Sequence, residues 1–140
     1  MRIILDEQLD PKTAEVLNVL ESRHGCAFQS LRDLTPPGTQ DIEVPEVCRS
    51  VGATALVTAD VKDFGAKRVY FEALVEAGLS VIVLRPRKGR HALEAQTAIL
   101  LDRSQEIADA LRQAATPMLI RVNKDGISTR SLQELIEEIQ

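Results

Sequence analysis

"TALVTADVKDFGAKRVYFEALVEAGLSVIVLR", residues 54–85, joins a β-branched run ending at Thr58, a helix-length stretch closed by Gly78, and a second apolar run, Leu79 to Leu84. Two apolar runs with a helix between them read as parallel strands, because a parallel pair cannot be closed by a tight turn and needs a crossover. The same unit recurs upstream. "RIIL" ends at Asp6 and Glu7, as a buried strand does on reaching solvent, and "LDPKTAEVLNVLESRHG" supplies Asp10 as N-cap, Pro11 at the first helical position and Gly25 as stop. "CAFQSL" reads as the next strand, "RDLTPPGTQD" as a loop, and "DIEVPEVCRSVG" as a short helix whose start Pro45 makes irregular.

Downstream the pattern predicts one long amphipathic helix near Ala92 to Gln113, with Leu93, Gln96, Leu100, Ile107 and Leu111 along one side. "PMLIRV" follows as a strand, "NKDG" as a hairpin-type turn, and a last helix starts from Ser131. Alternation of this kind predicts an α/β fold: a three-layer α/β/α arrangement around a mainly parallel central sheet. A length of 140 residues fits a single domain, residues 1–140.

Composition narrows the function classes. With 44% hydrophobic and 27% charged residues the chain is ordinary for a globular protein, and a net charge of −4 leaves any nucleic-acid contact to a local patch. No apolar run approaches the roughly 20 residues of a membrane span. The start "MRIILDEQLD" has no leader pattern, and Cys26 and Cys48 stand in no metal-ligand spacing, so the expectation is a cytoplasmic protein with reduced thiols and no membrane contact. Aromatics make up 3%, too few for a base-stacking platform; Tyr70 and Phe71 read as core and helix-face residues, and His24 and His91 as isolated surface or helix-end residues.

The acids carry the chemistry. Ligands of an open parallel sheet bind outside the carboxyl ends of its strands. There the sequence places Asp6 and Glu7 after the first strand and Asp60 and Asp63 after the third, while Asp41 opens the helix whose start faces the same edge. Taken singly, Asp10 is a cap, Asp41 fits a first-turn acid, and Asp60 fits a cap on its own turn. Together, clustered carboxylates repel one another and would take up protons unless a cation offsets them. The donors are hard oxygens, which favour Mg²⁺ or Mn²⁺ over zinc, and such a cation activates water and polarises a phosphodiester. "RPRKGRH" adds Arg85, Arg87, Lys88 and Arg90 after the fourth strand, either a solvated loop or, with Lys62, Lys67 and Arg68, a phosphate-binding rim for RNA.

These residues resemble a known family. "ILDEQLD", "RDLTPPGTQDIEV" and "LVTADVKDF" are similar to the segments of short PIN-like proteins that open "LLDENLP" and later read "RDLG", "SDEEI" and "LVTRDxDF". The resemblance covers about the first 85 residues and extends to relatives of the VapC-type toxins. It implies a Mg²⁺- or Mn²⁺-dependent endoribonuclease that hydrolyses RNA, the toxin of a toxin–antitoxin pair with a small antitoxin partner and, in many members, a homodimer. Position by position it makes Asp6, Asp41 and Asp63 the metal ligands and Asp60 a supporting catalytic acid. Gln8 stands in place of the usual Asn, Ala59 in place of the common Arg, and the insertion that supplies another acid in full-length PIN domains is missing. Glu7, Gln8, Asp33 and Thr58 are the candidates for support, with Glu7 or Asp33 standing in for the missing acid. Two other readings stay open: a catalytically degenerate PIN-like module that binds a protein or RNA without cutting it, and a receiver-like phosphoacceptor with Lys88 as its lysine.

Overall fold

The computed structural model describes residues 1–7, 9–20, 25–36, 38–59, 68–84, 92–123 and 125–139, of which Leu20, Asp41, Ala92 and Leu93 are described for their backbone only. Along the chain run β1 (Arg2–Leu5), α1 (Pro11–Leu20), β2 (Ala27–Ser30), α2 (Val44–Ser50), β3 (Ala55–Thr58), α3 (Arg68–Glu76) and β4 (Ser80–Leu84). After these come α4 (Ala92–Asp102), α5 (Ser104–Gln113), β5 (Met118–Asn123), β6 (Gly126–Ser131) and α6 (Leu132–Glu138). Short 3-10 turns at Leu31–Asp33 and Asp41–Glu43 stand between β2 and α2.

Among the described residues six strands form one sheet in the order β2-β1-β3-β4-β5-β6. The first five run parallel, and β6 joins antiparallel through the turn after β5. The continuous apolar runs follow from burial on both faces. Ile3, Leu5, Ala55, Val57, Ile82, Leu84, Ile120 and Val122 face one core with α1, α4 and α5. Ile4, Leu56, Val81, Val83 and Leu119 face the other with α2, α3 and α6. This is the three-layer α/β/α architecture that the alternation predicts. Helices α2 and α3 end alike, with Gly52 and Gly78 left-handed at φ 72° and 68°, and the next amides, Ala53 and Leu79, reaching back to Cys48 and Leu74 at 3.0 and 2.9 Å. That closure suits glycine, which has no Cβ to clash.

The structure corrects the expectation of one long helix. Residues 92–113 form two helices that meet at Arg103, where the Ser104 hydroxyl donates to the Leu101 carbonyl at 2.8 Å and so competes with the helical ladder. The apolar side continues across the break, since Gln96, Leu100, Ile107 and Leu111 are all buried. The final helix starts at Leu132, with Ser131 outside it as the cap whose hydroxyl accepts from the Glu134 amide. No helix among the described residues is long and apolar enough to cross a membrane.

Candidate active site

Asp6 and Thr58 meet where the sheet changes hands. From β1 the chain turns to α1 on one face of the sheet; from β3 it leads to α3 on the opposite face. Because β1 and β3 are neighbours, their carboxyl ends bound the crevice in which open α/β sheets bind ligands. Asp6 is the first residue past β1. Its amide continues the ladder onto the Val57 carbonyl at 2.8 Å, and its own carbonyl accepts from Leu9 at 2.9 Å in a tight turn that the buried Leu9 anchors. The half-buried carboxylate is thereby held at the sheet edge.

Both carboxylate oxygens are oriented by neighbours. Oδ1 accepts from the Glu7 amide at 2.8 Å, and Oδ2 accepts from the Thr58 hydroxyl at 3.0 Å, across 52 residues of sequence. Thr58 is buried at the end of β3, so a strand fixed on both sides aims its hydroxyl at Asp6. The next peptide unit is held as well: Arg32 donates to the Glu7 carbonyl from Nε at 2.9 Å and from Nη2 at 2.5 Å. Below this turn, in α2, burial and, to a lesser extent, the Asp6 carboxylate push the Cys48 thiol up to about 12. At neutral pH that sulfur keeps its proton.

Other sequence-predicted residues are placed as follows. The backbone of Asp41 opens the 3-10 turn ahead of α2, on the side from which that helix runs back against the strands, while its side chain lies outside what is described. Glu7 and Asp33 are exposed, Glu7 in the turn after β1 and Asp33 at the end of the 3-10 turn after β2. Arg68 begins α3 and pairs with Glu72 at 2.8 Å, both side chains exposed. Asp60, Asp63, Gln8, Lys62, Lys67, Arg85, Arg87, Lys88 and Arg90 lie outside the described residues. Among the described residues no group of three or more His, Cys, Asp or Glu side chains could hold a metal ion. The donors described at the switch point are a carboxylate and a hydroxyl, beside a thiol that keeps its proton. Both described donors are hard oxygens, the type that hard divalent cations take.

Arg32 is not among the residues that the sequence pattern singles out; in "RDL" only Asp33 is a candidate. The available signal is position, since Arg32 is the first charged residue past the carboxyl end of β2, on the edge where Asp6 stands. A family model described as a PIN like domain matches residues 1–86. The matched span runs from β1 to just past β4 and takes in Asp6, Asp41, Asp60, Asp63, Thr58 and Arg32. Neither the curated proteins nor the solved structures gave a match.

Proposed function

This chain belongs to the PIN-like domain family, whose members are generally nucleases that use a divalent metal, and on that premise we propose that it is an endoribonuclease dependent on Mg²⁺ or Mn²⁺. The observation that carries the proposal is Asp6, held at the β1/β3 switch point by the Thr58 hydroxyl and the Glu7 amide. In this reading Asp6, Asp41 and Asp63 hold the cation and Asp60 supports them. When bound, the cation supplies a water of lowered pKa and charge neutralisation at the phosphodiester.

The chain's own residues position and shield. Thr58 fixes the direction of the Asp6 carboxylate, and buried Cys48 excludes water from beneath it. Arg85, Arg87, Lys88 and Arg90, with Lys62, Lys67 and Arg68, hold the RNA backbone by sequence-independent contacts. As a physiological role we assign the toxin of a toxin–antitoxin pair. Growth arrest on expression, relieved by a small co-expressed antitoxin, is its test.

The activity itself is tested with purified protein and a single-stranded RNA pool in Mn²⁺. Cleavage that EDTA stops and Mn²⁺ restores is expected; absence of cleavage in either metal overturns the enzyme reading. The presence of Gln8, where the resemblance has Asn, favours a second reading, a module that binds RNA or protein without cutting. Binding of Mn²⁺ and RNA without turnover selects it.

A further inference from the structure

We infer that Arg32 is a positioning residue for the Asp6 carboxylate, acting through the backbone of Glu7; the inference rests on Asp6 being a metal-holding acid, as proposed above. The Glu7 backbone is held on both sides of its Cα. Its N–H donates to Asp6 Oδ1 at 2.8 Å, and its carbonyl accepts both Nε and Nη2 of Arg32. The two groups lie in different peptide planes joined at the Glu7 Cα. The N–H shares its plane with the Asp6 carbonyl, which the Leu9 amide holds at 2.9 Å. Arg32, by pinning the next plane, limits rotation of the Glu7 backbone and so steadies the N–H that orients the carboxylate. A further bond to the carboxylate comes from Thr58, on a different strand.

The backbone that carries the guanidinium is itself anchored. Leu31, which precedes it, is buried at 2% exposure, and its carbonyl accepts from the Leu34 and Thr35 amides at 2.9 and 3.1 Å. The Ser30 hydroxyl, at the end of β2, accepts from the Arg32 amide at 3.3 Å. Arg32 thus links the carboxyl ends of β2 and β1 over 25 residues of sequence. A guanidinium places two N–H groups side by side in one plane, and a lysine ammonium cannot reproduce that fork. Groups that orient a metal ligand are worth roughly 10- to 100-fold in metal affinity or activity.

The experiment compares wild type, Arg32→Ala and Arg32→Lys in two measurements. First, amide hydrogen exchange of Glu7 is followed by NMR in metal-free protein. An increase of about 10-fold in Arg32→Ala, with a smaller one in Arg32→Lys, is expected where a bond that orders the Glu7 backbone is lost; unchanged exchange overturns the inference whatever the protein's activity. Second, Mn²⁺ is titrated calorimetrically and RNA cleavage is measured. In Arg32→Ala the Mn²⁺ Kd should rise about 10-fold and kcat fall by a similar factor, with KM for RNA within about twofold. A raised KM with unchanged Mn²⁺ affinity instead makes Arg32 an RNA contact and overturns the positioning role. A wild type that cleaves nothing and binds no Mn²⁺ removes the nuclease reading, while the Glu7 exchange still decides whether Arg32 orders the turn.

Discussion

The carboxyl ends of β1 and β3 differ from the β5–β6 hairpin in how their polar groups are satisfied. At the hairpin the bonds are local. Asn123 Oδ1 accepts from the Asp125 and Gly126 amides at 2.8 and 3.1 Å, Ser131 caps Glu134, and Arg130 pairs with Glu138 eight residues on. At the switch point the bonds span 52 residues, from Thr58 to Asp6, and 25, from Arg32 to Glu7. Side chains that close a turn are dictated by that turn alone. Those that draw together three segments hold a group in a geometry no single segment requires. Asp6 and Asp10 repeat the contrast within one turn of chain, because Asp10 Oδ1 accepts from the Lys12 amide at 2.9 Å, as an ordinary helix cap.

The contrast breaks most visibly at Asp6 itself. Asp6→Asn should lower the RNA cleavage rate on the order of 1,000-fold, since a metal contributes several kcal/mol to the transition state, with the melting temperature nearly unchanged. Asp10→Asn, assayed in parallel, should leave cleavage within about twofold. Equal losses in the two variants would erase the distinction between site acid and cap. Thr58→Val keeps the shape of the buried strand end and deletes the hydroxyl on Asp6 Oδ2; a fall of about 10-fold in Mn²⁺ affinity is expected by calorimetry, whereas Ser131→Ala at the hairpin should leave it unchanged.

Cys48 offers a smaller test that does not depend on turnover. Its folded-state pKa, about 12, lies above the ordinary 9.0 of the unfolded chain, so the native protein keeps a proton that the unfolded chain releases. This stabilisation is complete below about pH 9 and is lost as pH rises from 9 toward 12, at roughly 1 kcal/mol per pH unit. Urea unfolding should show that slope in wild type, and Cys48→Ala should flatten it. Asp6→Asn should leave most of it, because burial is the larger cause. The smallest effect belongs to the caps: Asp10→Ala should cost about 1 kcal/mol in the same unfolding measurement, with no change in Mn²⁺ binding.

Much of the architecture was legible because strands buried on both faces write themselves as apolar runs: "IIL", "ALVT" and "SVIVL" can be placed nowhere else. The antiparallel β6, "GISTRS", was legible only as the far side of a turn. Its half-exposed residues carry no apolar run, and its pairing with β5 supplies what its composition does not. The break at Arg103 was hidden for the opposite reason, since the buried stripe from Leu100 to Ile107 crosses it without interruption. In the candidate site Asp6 could be singled out by its place at a strand end. Arg32 could not, because its partner is a backbone carbonyl, and no pattern of residue types encodes which carbonyl a distant guanidinium will reach.

The central claim is that Asp6 is a metal-holding carboxylate rather than a structural acid at the end of a strand. A calorimetric titration of Mn²⁺ into wild type and Asp6→Asn tests it without reference to any RNA. Saturable binding in wild type, lost in Asp6→Asn while circular dichroism shows the fold intact, is the predicted result. The same binding isotherm in both proteins would contradict it.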